Sequence, residues 1–438
     1  MTVALLLLAA CSAPDTPTGV IFVSLDTLRA DRLGTLGNPR GLTPNLDRFA
    51  AESVTFERAY AQANETLYSH ASLFTARYPS RLAPLDRNFR LPAETPTLAG
   101  GFAAAGWETA AFVAGGHLSA VFGLGEGFRT YDDTAAFGSI RETGTAALAW
   151  LDDRAPLPFF LLVHGYDTHD RTLKPTPFGY AFADPNARSL GAELARTTGA
   201  ASDIVGGHHS RRPDRIWQLS EDHPRFEHGR DIERVDPEAR PLSAEDAQHL
   251  RDVYDGSVAW ADASFGLFMA GLDARGLLDE VVIVVLSDHG EELGEEGVFN
   301  HHYGMNDAVT HVPLLVRLPG GEQGGRRVSG LVELTDVAPT ALELAGLPAL
   351  AGASGRSLVP ALRSEGWSGR PVALSEGELR LVSARGSLGR LTAEGLGVGN
   401  PHASALLAVA PVNGVTLHIE GETEEAPALR AALVEHLR

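Results

Sequence analysis

The stretch EVVIVVLSDHG, residues 280–290, decides the fold. Its central residues, Val281 to Leu286, are all apolar, and all but the last are β-branched. A run that is apolar on both faces and bounded by polar residues is typical of a strand buried in a parallel sheet. The same pattern recurs in GVIFVSLD (19–26), ETAAFVAGG (108–116), LPFFLLVHGYD (157–167) and VPLLVRLPG (312–320).

Helical patterns alternate with these runs. In TPNLDRFAAES, Thr43 is a candidate N-cap before Pro44 at the first helical position. A longer pattern begins at Ser243, has Asp246 three residues on as in a capping box, and ends at Gly276. Strands that alternate with helices predict an α/β fold with a doubly wound, mostly parallel sheet flanked by helices.

The chain of 438 residues is long enough for one large domain and a smaller one. We predict a signal peptide and tether over residues 1–18, the α/β domain over 19–330, and a smaller C-terminal α+β subdomain over 331–438. The segment from about 170 to 242 is rich in Pro, Arg, His and Gly. It is predicted to be an extended insertion on the ligand side of the sheet.

The composition is that of a globular protein, with 44% hydrophobic and 21% charged residues. The net charge of −20 argues against nucleic acid as a partner, because nothing offsets repulsion from phosphate groups. Beyond the N-terminus, no apolar run is long enough to span a bilayer.

The N-terminus carries an apolar run from Val3 to Ala10 that ends at Cys11, the only cysteine of the chain. The run has the length of a signal-peptide core, and Leu8-Ala9-Ala10-Cys11 resembles a bacterial lipobox. We therefore expect lipidation at Cys11 and a lipid-anchored protein in the cell envelope, at the periplasmic face or the cell surface. The alternative is a cytoplasmic protein with an apolar tail.

Chemically active side chains stand at the ends of the predicted strands. Asp26 ends the first run, and Asp288 and His289 end the run that opens this section. Further candidates are His164, Asp167, His169, His301 and His302. Ligands bind beyond the carboxyl ends of strands in open α/β sheets, and carboxylates with imidazoles are a metal-site composition. Taken alone, His164 is interpreted as a core histidine with its hydrogen bonds satisfied.

Six stretches follow one another in a recognisable order: VSLDTLRADRLG, TPNLDRFAAESVTFERAYAQ, SHASLFTARYPSR, GLLDEVVIVVLSDHGEELGEEG, HVPLLVRLPG and DVAPTALELAGLP. Together they resemble the sulfatase family of the alkaline phosphatase superfamily, over roughly residues 18 to 362. The resemblance implies an alkaline phosphatase-like fold, a divalent metal and a hydroxyl nucleophile.

By this resemblance Thr66 occupies the nucleophile position. Standard sulfatases carry Cys-x-Pro-Ser-Arg followed by Leu-x-Thr-Gly, and here Tyr68, His70 and Ala76 replace the Pro, Arg and Gly. Threonine cannot become formylglycine by the usual route, but it is the nucleophile in relatives that transfer phosphoglycerol or phosphoethanolamine. We therefore expect Thr66 to attack sulfur or phosphorus and His70 to orient it, with Ser69 as a helix cap.

The resemblance also implies the ligands of one divalent ion: Asp26, Thr66, Asp288 and His289. Standard sulfatases have a second acidic residue where this chain has Thr27. One carboxylate fewer and one histidine favour zinc or manganese, with calcium as the alternative.

Histidines supply the remaining expected roles. His169 matches the family histidine that contacts the ester and protonates the leaving group. His301 or His302 falls where the family places a cationic side chain on the anionic group of the substrate, and the spacing slightly favours His302.

The predicted function is metal-dependent hydrolysis of an anionic sulfate or phosphate ester through a covalent intermediate on Thr66, near a membrane that holds the Cys11 anchor. One alternative is a transferase of phosphoglycerol or phosphoethanolamine type, or a phosphodiesterase or phosphonate hydrolase. The second alternative is a degenerate, non-catalytic binding protein.

Overall fold

A computed structural model describes residues 16–82, 89–135, 137–169, 174–188, 243–295, 301, 304–364, 366–377, 381–386, 389–394, 416–421 and 426–437. Cys11, His302 and most of the insertion predicted at 170–242 lie outside these residues. Within the described ranges, no helix combines the length and apolar character that crossing a membrane requires.

The main sheet of the described chain has eight strands in the order β4-β3-β5-β1-β6-β7-β2-β8. Their bounds are β1 Gly19–Leu25, β2 Val54–Tyr60, β3 Glu108–Phe112, β4 Thr130–Asp132, β5 Phe159–Gly165, β6 Val281–Leu286, β7 His311–Arg317 and β8 Arg327–Glu333. Strand β7 is antiparallel to both of its neighbours, and the other pairs are parallel. The predicted α/β fold with a mostly parallel sheet is confirmed.

Helices cover both faces of this sheet. Their bounds are α1 Pro44–Ala51, α2 Thr66–Thr75, α3 Leu98–Ala104, α4 Ile140–Asp153, α5 Ala244–Asp273, α6 Asp307–Thr310, α7 Val337–Leu344 and α8 Val359–Arg363. On one face, Val20 and Phe22 of β1 belong to a core with α2, α3 and α7. On the other, Ile21 and Val23 belong to a core with α1, α4 and α5. The period-two alternation of β1 thus separates two hydrophobic layers.

The long helix α5 begins as predicted. The Ser243 hydroxyl accepts a hydrogen bond from the Asp246 N–H, and the Asp246 carboxylate accepts one from the Ser243 N–H. Gly276 follows the helix with a φ of +65°, a conformation that glycine adopts without strain.

The start of α1 differs from the prediction. Thr43 occupies the N-cap position, but its side chain makes no capping bond. Instead, Asp262 of α5 accepts hydrogen bonds from the backbone N–H groups of Asn45 and Leu46. A carboxylate from a neighbouring helix therefore satisfies the free amide groups of α1.

A second sheet lies in the C-terminal part of the chain. Its antiparallel strands, in the order β12-β11-β10-β9, are β9 Ala373–Gly377, β10 Leu381–Arg385, β11 Gly389–Glu394 and β12 Thr416–Gly421, followed by helix α9 Ala426–Leu437. The boundary predicted at residue 330 falls within β8 of the main sheet. The division into domains stays a prediction.

Candidate active site

The strand ends of β1 and β6 bring three polar side chains together. These strands are parallel neighbours, so Asp26, just beyond β1, lies beside Asp288 and His289, just beyond β6. All three side chains are buried, and one ligand atom of each lies within 4.8 Å of the others. The sequence predicted this meeting at the carboxyl edge of the sheet.

Helix α2 adds the hydroxyl of its first residue, Thr66. The Thr66 Oγ1 atom lies 3.1 Å from Oδ2 of Asp26 and 3.3 Å from Nε2 of His289. The predicted nucleophile and the predicted ligands therefore form one cluster.

The carboxylates of this cluster each have one oxygen with a partner and one without. Oδ2 of Asp26 accepts from Thr66, and Oδ1 of Asp288 accepts from the backbone N–H of Thr27 at 3.4 Å. Within the described chain, Oδ1 of Asp26 and Oδ2 of Asp288 have no hydrogen-bond partner, although both are buried. Buried carboxylate oxygens without donors are what a cation site requires, so these residues fit a divalent ion.

The orientation of His289 fits the same ion. Its Nδ1 lies 2.9 Å from the carbonyl oxygen of Gly290, which only accepts hydrogen bonds, so Nδ1 carries the proton. In this tautomer the lone pair is on Nε2, the atom that faces Thr66. A backbone carbonyl that fixes the tautomer of a histidine is typical of metal ligands.

The pKa values of the two aspartates are shifted in opposite directions. Burial, and then the nearby charge of Asp288, raises the pKa of Asp26 well above its usual range. Burial also acts to raise the pKa of Asp288, but the positive charge that His289, His70 and His164 carry when protonated outweighs it and lowers that pKa. Two buried carboxylates at this separation repel each other, and a cation between them removes that cost.

His70 supports the first turn of α2. Its Nδ1 donates to the carbonyl oxygen of Thr66 at 2.9 Å, and its Nε2 accepts from the Ser24 hydroxyl at 3.1 Å. The ring is fully buried, and burial lowers the pKa of His70. A neutral imidazole therefore stands where the resemblance implies an arginine, and its contact is with the backbone of Thr66.

Two expectations for neighbouring residues are wrong. His164 is no satisfied core histidine, because its Nε2 lies 3.3 Å from Oδ2 of Asp26 and its Nδ1 has no partner among the described residues. Burial lowers the pKa of His164 well below its usual range, so the ring is neutral. Ser69 is no helix cap, because it lies inside α2 and donates to the carbonyl oxygen of Asp288 at 2.6 Å.

The backbone around Asp26 is held from two sides. The Thr168 hydroxyl donates to the carbonyl oxygen of Asp26, and Tyr254 donates to that of Thr27 at 2.7 Å. Thr27 has a φ of +54°, which is unusual for a β-branched residue and typical of strain at a functional site. The strained turn aims the Thr27 N–H at Asp288.

Asp167, a further candidate from the sequence, lies outside the cluster of Asp26, Asp288 and His289. Its carboxylate accepts a hydrogen bond from the backbone N–H of Ile140 at the start of α4.

His169 and His301 line the same region. The His301 ring centroid lies 4.4 Å from that of His289 and 5.4 Å from that of His169. Nδ1 of His301 contacts the carbonyl oxygen of Asn64 at 2.7 Å. His301 thus lies in the cluster, while His302 lies outside the described residues.

Tyr166 is a site residue that the sequence analysis missed. Its hydroxyl lies close to the side chain of Thr66, accepts from the backbone N–H of His117 at 3.2 Å and donates to the carbonyl oxygen of Gly115 at 3.5 Å. Its ring packs edge-on against His164 and His169. Burial raises the pKa of Tyr166 well above its usual range. Its place in HGYDTHD, between two candidate residues, was the available signal.

Curated relatives of the chain are sulfatases. An ulvan-active sulfatase from Formosa agariphila is 25% identical over 362 residues, which is 78% of this chain and 65% of that protein. An N-acetylglucosamine-6-O-sulfatase from Bacteroides thetaiotaomicron is 25% identical over 428 residues, which is 84% of this chain and 75% of that protein. The chain thus spans just under two thirds of the length of the first relative.

Solved structures share the fold. A phosphonate monoester hydrolase of Agrobacterium radiobacter superposes with a TM-score of 0.66 at 20% identity, covering 96% of this chain and 94% of that one. The family model for sulfatases matches residues 18–347, which includes Asp26, Thr66, Asp288 and His289. The chain belongs to the sulfatase family.

Proposed function

We propose that the chain is a metal-dependent hydrolase of sulfate esters that works through a covalent intermediate on Thr66. The observation that carries this proposal is the position of Oγ1 of Thr66, within hydrogen-bond distance of both Asp26 and His289. The hydroxyl is thereby held against the cluster that fits a divalent ion. Relatives named as sulfatases support sulfate as the ester class.

The ligands of the ion would be Asp26, Asp288, His289 and Thr66. We propose zinc or manganese rather than calcium, because the set includes an imidazole nitrogen and only two carboxylates. When bound, the ion offsets the negative charge of the carboxylates and polarises the ester, which favours attack at sulfur.

In the first step, Oγ1 of Thr66 forms a bond to sulfur while its proton passes to Oδ2 of Asp26, 3.1 Å away. The bond from sulfur to the leaving oxygen breaks, and that oxygen takes both the electron pair and a proton from His169. In the second step, water attacks sulfur and gives a proton to His169. The bond to Oγ1 breaks, and Oγ1 recovers its proton from Asp26.

A second candidate is hydrolysis of a phosphodiester or phosphonate monoester. The fold shared with a phosphonate monoester hydrolase favours it. These esters carry one negative charge, as sulfate monoesters do, and the same nucleophile and leaving-group positions serve them.

Lipidation of Cys11 and a location in the cell envelope are further proposals, which rest on the sequence of residues 3–11.

The test is release of inorganic sulfate from N-acetylglucosamine 6-sulfate, with a nitrophenyl phosphodiester assayed in parallel. We expect Thr66→Ala to abolish turnover and Thr66→Ser to retain part of it. Thr75→Ala is the control, because Thr75 lies in the same helix and its hydroxyl donates to the carbonyl oxygen of Ala71, away from the cluster. Mass spectrometry of the quenched reaction is expected to locate the sulfo group on the peptide that contains Thr66.

Turnover that survives in Thr66→Ala would contradict the assigned nucleophile. No turnover of either ester by the metal-loaded wild-type chain would favour the non-catalytic binding protein. If the phosphodiester is turned over faster than the sulfate ester, phosphodiester hydrolysis becomes the leading candidate function.

A further inference from the structure

Phe137 is an exposed aromatic residue in a strained backbone conformation. Its side chain is 60% exposed, and its φ is +50°. The other large apolar side chains exposed in the described chain, Val121, Leu157 and Leu267, have ordinary negative φ values. A left-handed conformation is unfavourable for a bulky residue, and an exposed ring contributes little burial in return. Folding alone therefore gives no reason for phenylalanine here.

The backbone at Phe137 is fixed on both sides. The Phe137 N–H donates to the carbonyl oxygen of Ala114, just beyond β3, at 2.8 Å. The carbonyl oxygen of Gly138 accepts from the N–H of Tyr166, just beyond β5, at 2.9 Å. The residue is thus tied to the carboxyl ends of two strands, the edge that carries the active site. Its backbone is held in place before any ligand arrives.

The ring of Phe137 lies against the active-site tyrosine. Its centroid is 5.1 Å from that of Tyr166, with the planes inclined by 47°. It also covers Gly116, where a Cβ atom would lie 3.1 Å from a ring carbon of Phe137 and 2.9 Å from the hydroxyl of Tyr166. Gly116 has a φ of +57°, so glycine is required there both for conformation and for space.

A line of contacts therefore joins the exposed ring of Phe137, through the buried Tyr166, to the side chain of Thr66. Phe137 contacts Tyr166, and Tyr166 contacts both Thr66 and the backbone of His117. His117, whose side chain is 28% exposed, lies next to Gly116 on the same loop. Phe137 is thus the solvent-facing end of this line of contacts, at the strand edge from which an ester would approach Thr66.

We propose that Phe137 is a platform for the ring of the organic group, a pyranose or an arene that lies flat against the phenyl ring. A flat apolar face with C–H bonds packs well on an aromatic ring, whereas a short acyclic chain covers little of it. The inference rests on the proposed function and deepens it, because it restricts the substrates to esters that bear a ring.

The test compares two primary alkyl sulfates, N-acetylglucosamine 6-sulfate and ethyl sulfate, whose leaving groups have the same chemistry. Inorganic sulfate release is measured for the wild-type chain, Phe137→Ala, Phe137→Trp and Leu157→Ala. Leu157 is the matched control, because it is an exposed apolar residue before β5, at the opposite edge of the sheet. Nitrophenyl sulfate extends the comparison to an arene.

We expect Phe137→Ala to lower kcat/KM for the sugar sulfate about tenfold, mainly through KM, and to leave ethyl sulfate unchanged. Phe137→Trp and Leu157→Ala are expected to keep wild-type values. Phe137→Gly separates function from folding, because it removes the backbone strain: it is expected to melt no lower than the wild type while losing the same preference.

If Phe137→Ala changes kcat/KM equally for both alkyl sulfates, or for neither, Phe137 is not a platform for the substrate ring. If Phe137→Ala lowers turnover of nitrophenyl sulfate alone, the ring that packs on Phe137 is an arene rather than a sugar. If the wild-type chain releases sulfate from none of these esters, the proposed function itself fails, and the platform fails with it.

Discussion

The Tyr166 hydroxyl contacts the side chain of Thr66 and also accepts from the backbone N–H of His117. Its own proton points to the carbonyl oxygen of Gly115 at 3.5 Å, a long bond that leaves the proton free to turn to Oγ1 of Thr66, the proposed nucleophile, as charge develops there. We expect Tyr166→Phe to lower kcat about tenfold with little change in KM, the loss of one hydrogen bond that matters most during the reaction.

Steady-state kinetics of the sugar sulfate checks this expectation for Tyr166. Tyr131→Phe is the control, because Tyr131 is also largely buried and donates to the carbonyl oxygen of Leu118 instead. An unchanged kcat in Tyr166→Phe, or an equal fall in both variants, would contradict a specific role at the nucleophile.

The residues proposed as metal ligands were predictable one by one, and their neighbours were not. Asp26, Asp288 and His289 directly follow apolar runs, so the geometry of parallel strands alone brings them to one edge. His164 lies inside β5, where the pattern of a buried strand favours a packing role. Its contact with Asp26 depends on the β1–β5 register, in which Ser24 lies opposite His164, and a sequence does not state that register.

The N-terminus of α1 depends on Asp262, which comes from the middle of α5. Its carboxylate accepts from the N–H of Asn45 at 3.0 Å, from that of Leu46 at 2.8 Å and from the side-chain amide of Asn45 at 2.8 Å. We expect Asp262→Ala to lower the free energy of unfolding by about 1–2 kcal/mol, as the loss of a helix cap does. The reason is that buried N–H groups lose their acceptor.

Urea denaturation measures the effect at Asp262. Asp262→Asn is the matched variant, because its amide oxygen keeps one acceptor, and it is expected to lose less stability than alanine. Wild-type stability in Asp262→Ala would mean that the Thr43 side chain or water replaces the cap.

Elements that interrupt a simple pattern escaped the sequence analysis. Strand β2, VTFERAY, carries Glu57 and Arg58 beside a shift in its pairing with β7, so its apolar alternation breaks. Strand β8 contains Gly330, and α4 contains Gly144, both of which weaken the periodic signal. The antiparallel direction of β7 was equally hidden, because a buried strand has the same apolar run in either direction.

The whole molecule carries a net charge of −20, and its proposed substrate is an anion. The long-range field therefore opposes the approach of the ester, and salt screens that field. We expect kcat/KM to rise about two- to threefold between about 10 mM and about 150 mM salt, with kcat unchanged. A neutral osmolyte at matched osmolarity is the control, and a fall in kcat/KM with salt would reveal a local positive field that dominates at the site.

Helix α2 has no solvent-facing side, because every residue from Thr66 to Thr75 is buried, as is the Ala76 that follows. In so close-packed an environment, a change at one position alters the space available to the others. Thr66, Tyr68, His70 and Ala76, the positions at which the chain departs from the standard sulfatase motif, all lie in this one buried segment. Their divergence is therefore best understood as one linked change, and an attempt to restore the standard nucleophile alone would place it among neighbours selected to accompany a threonine.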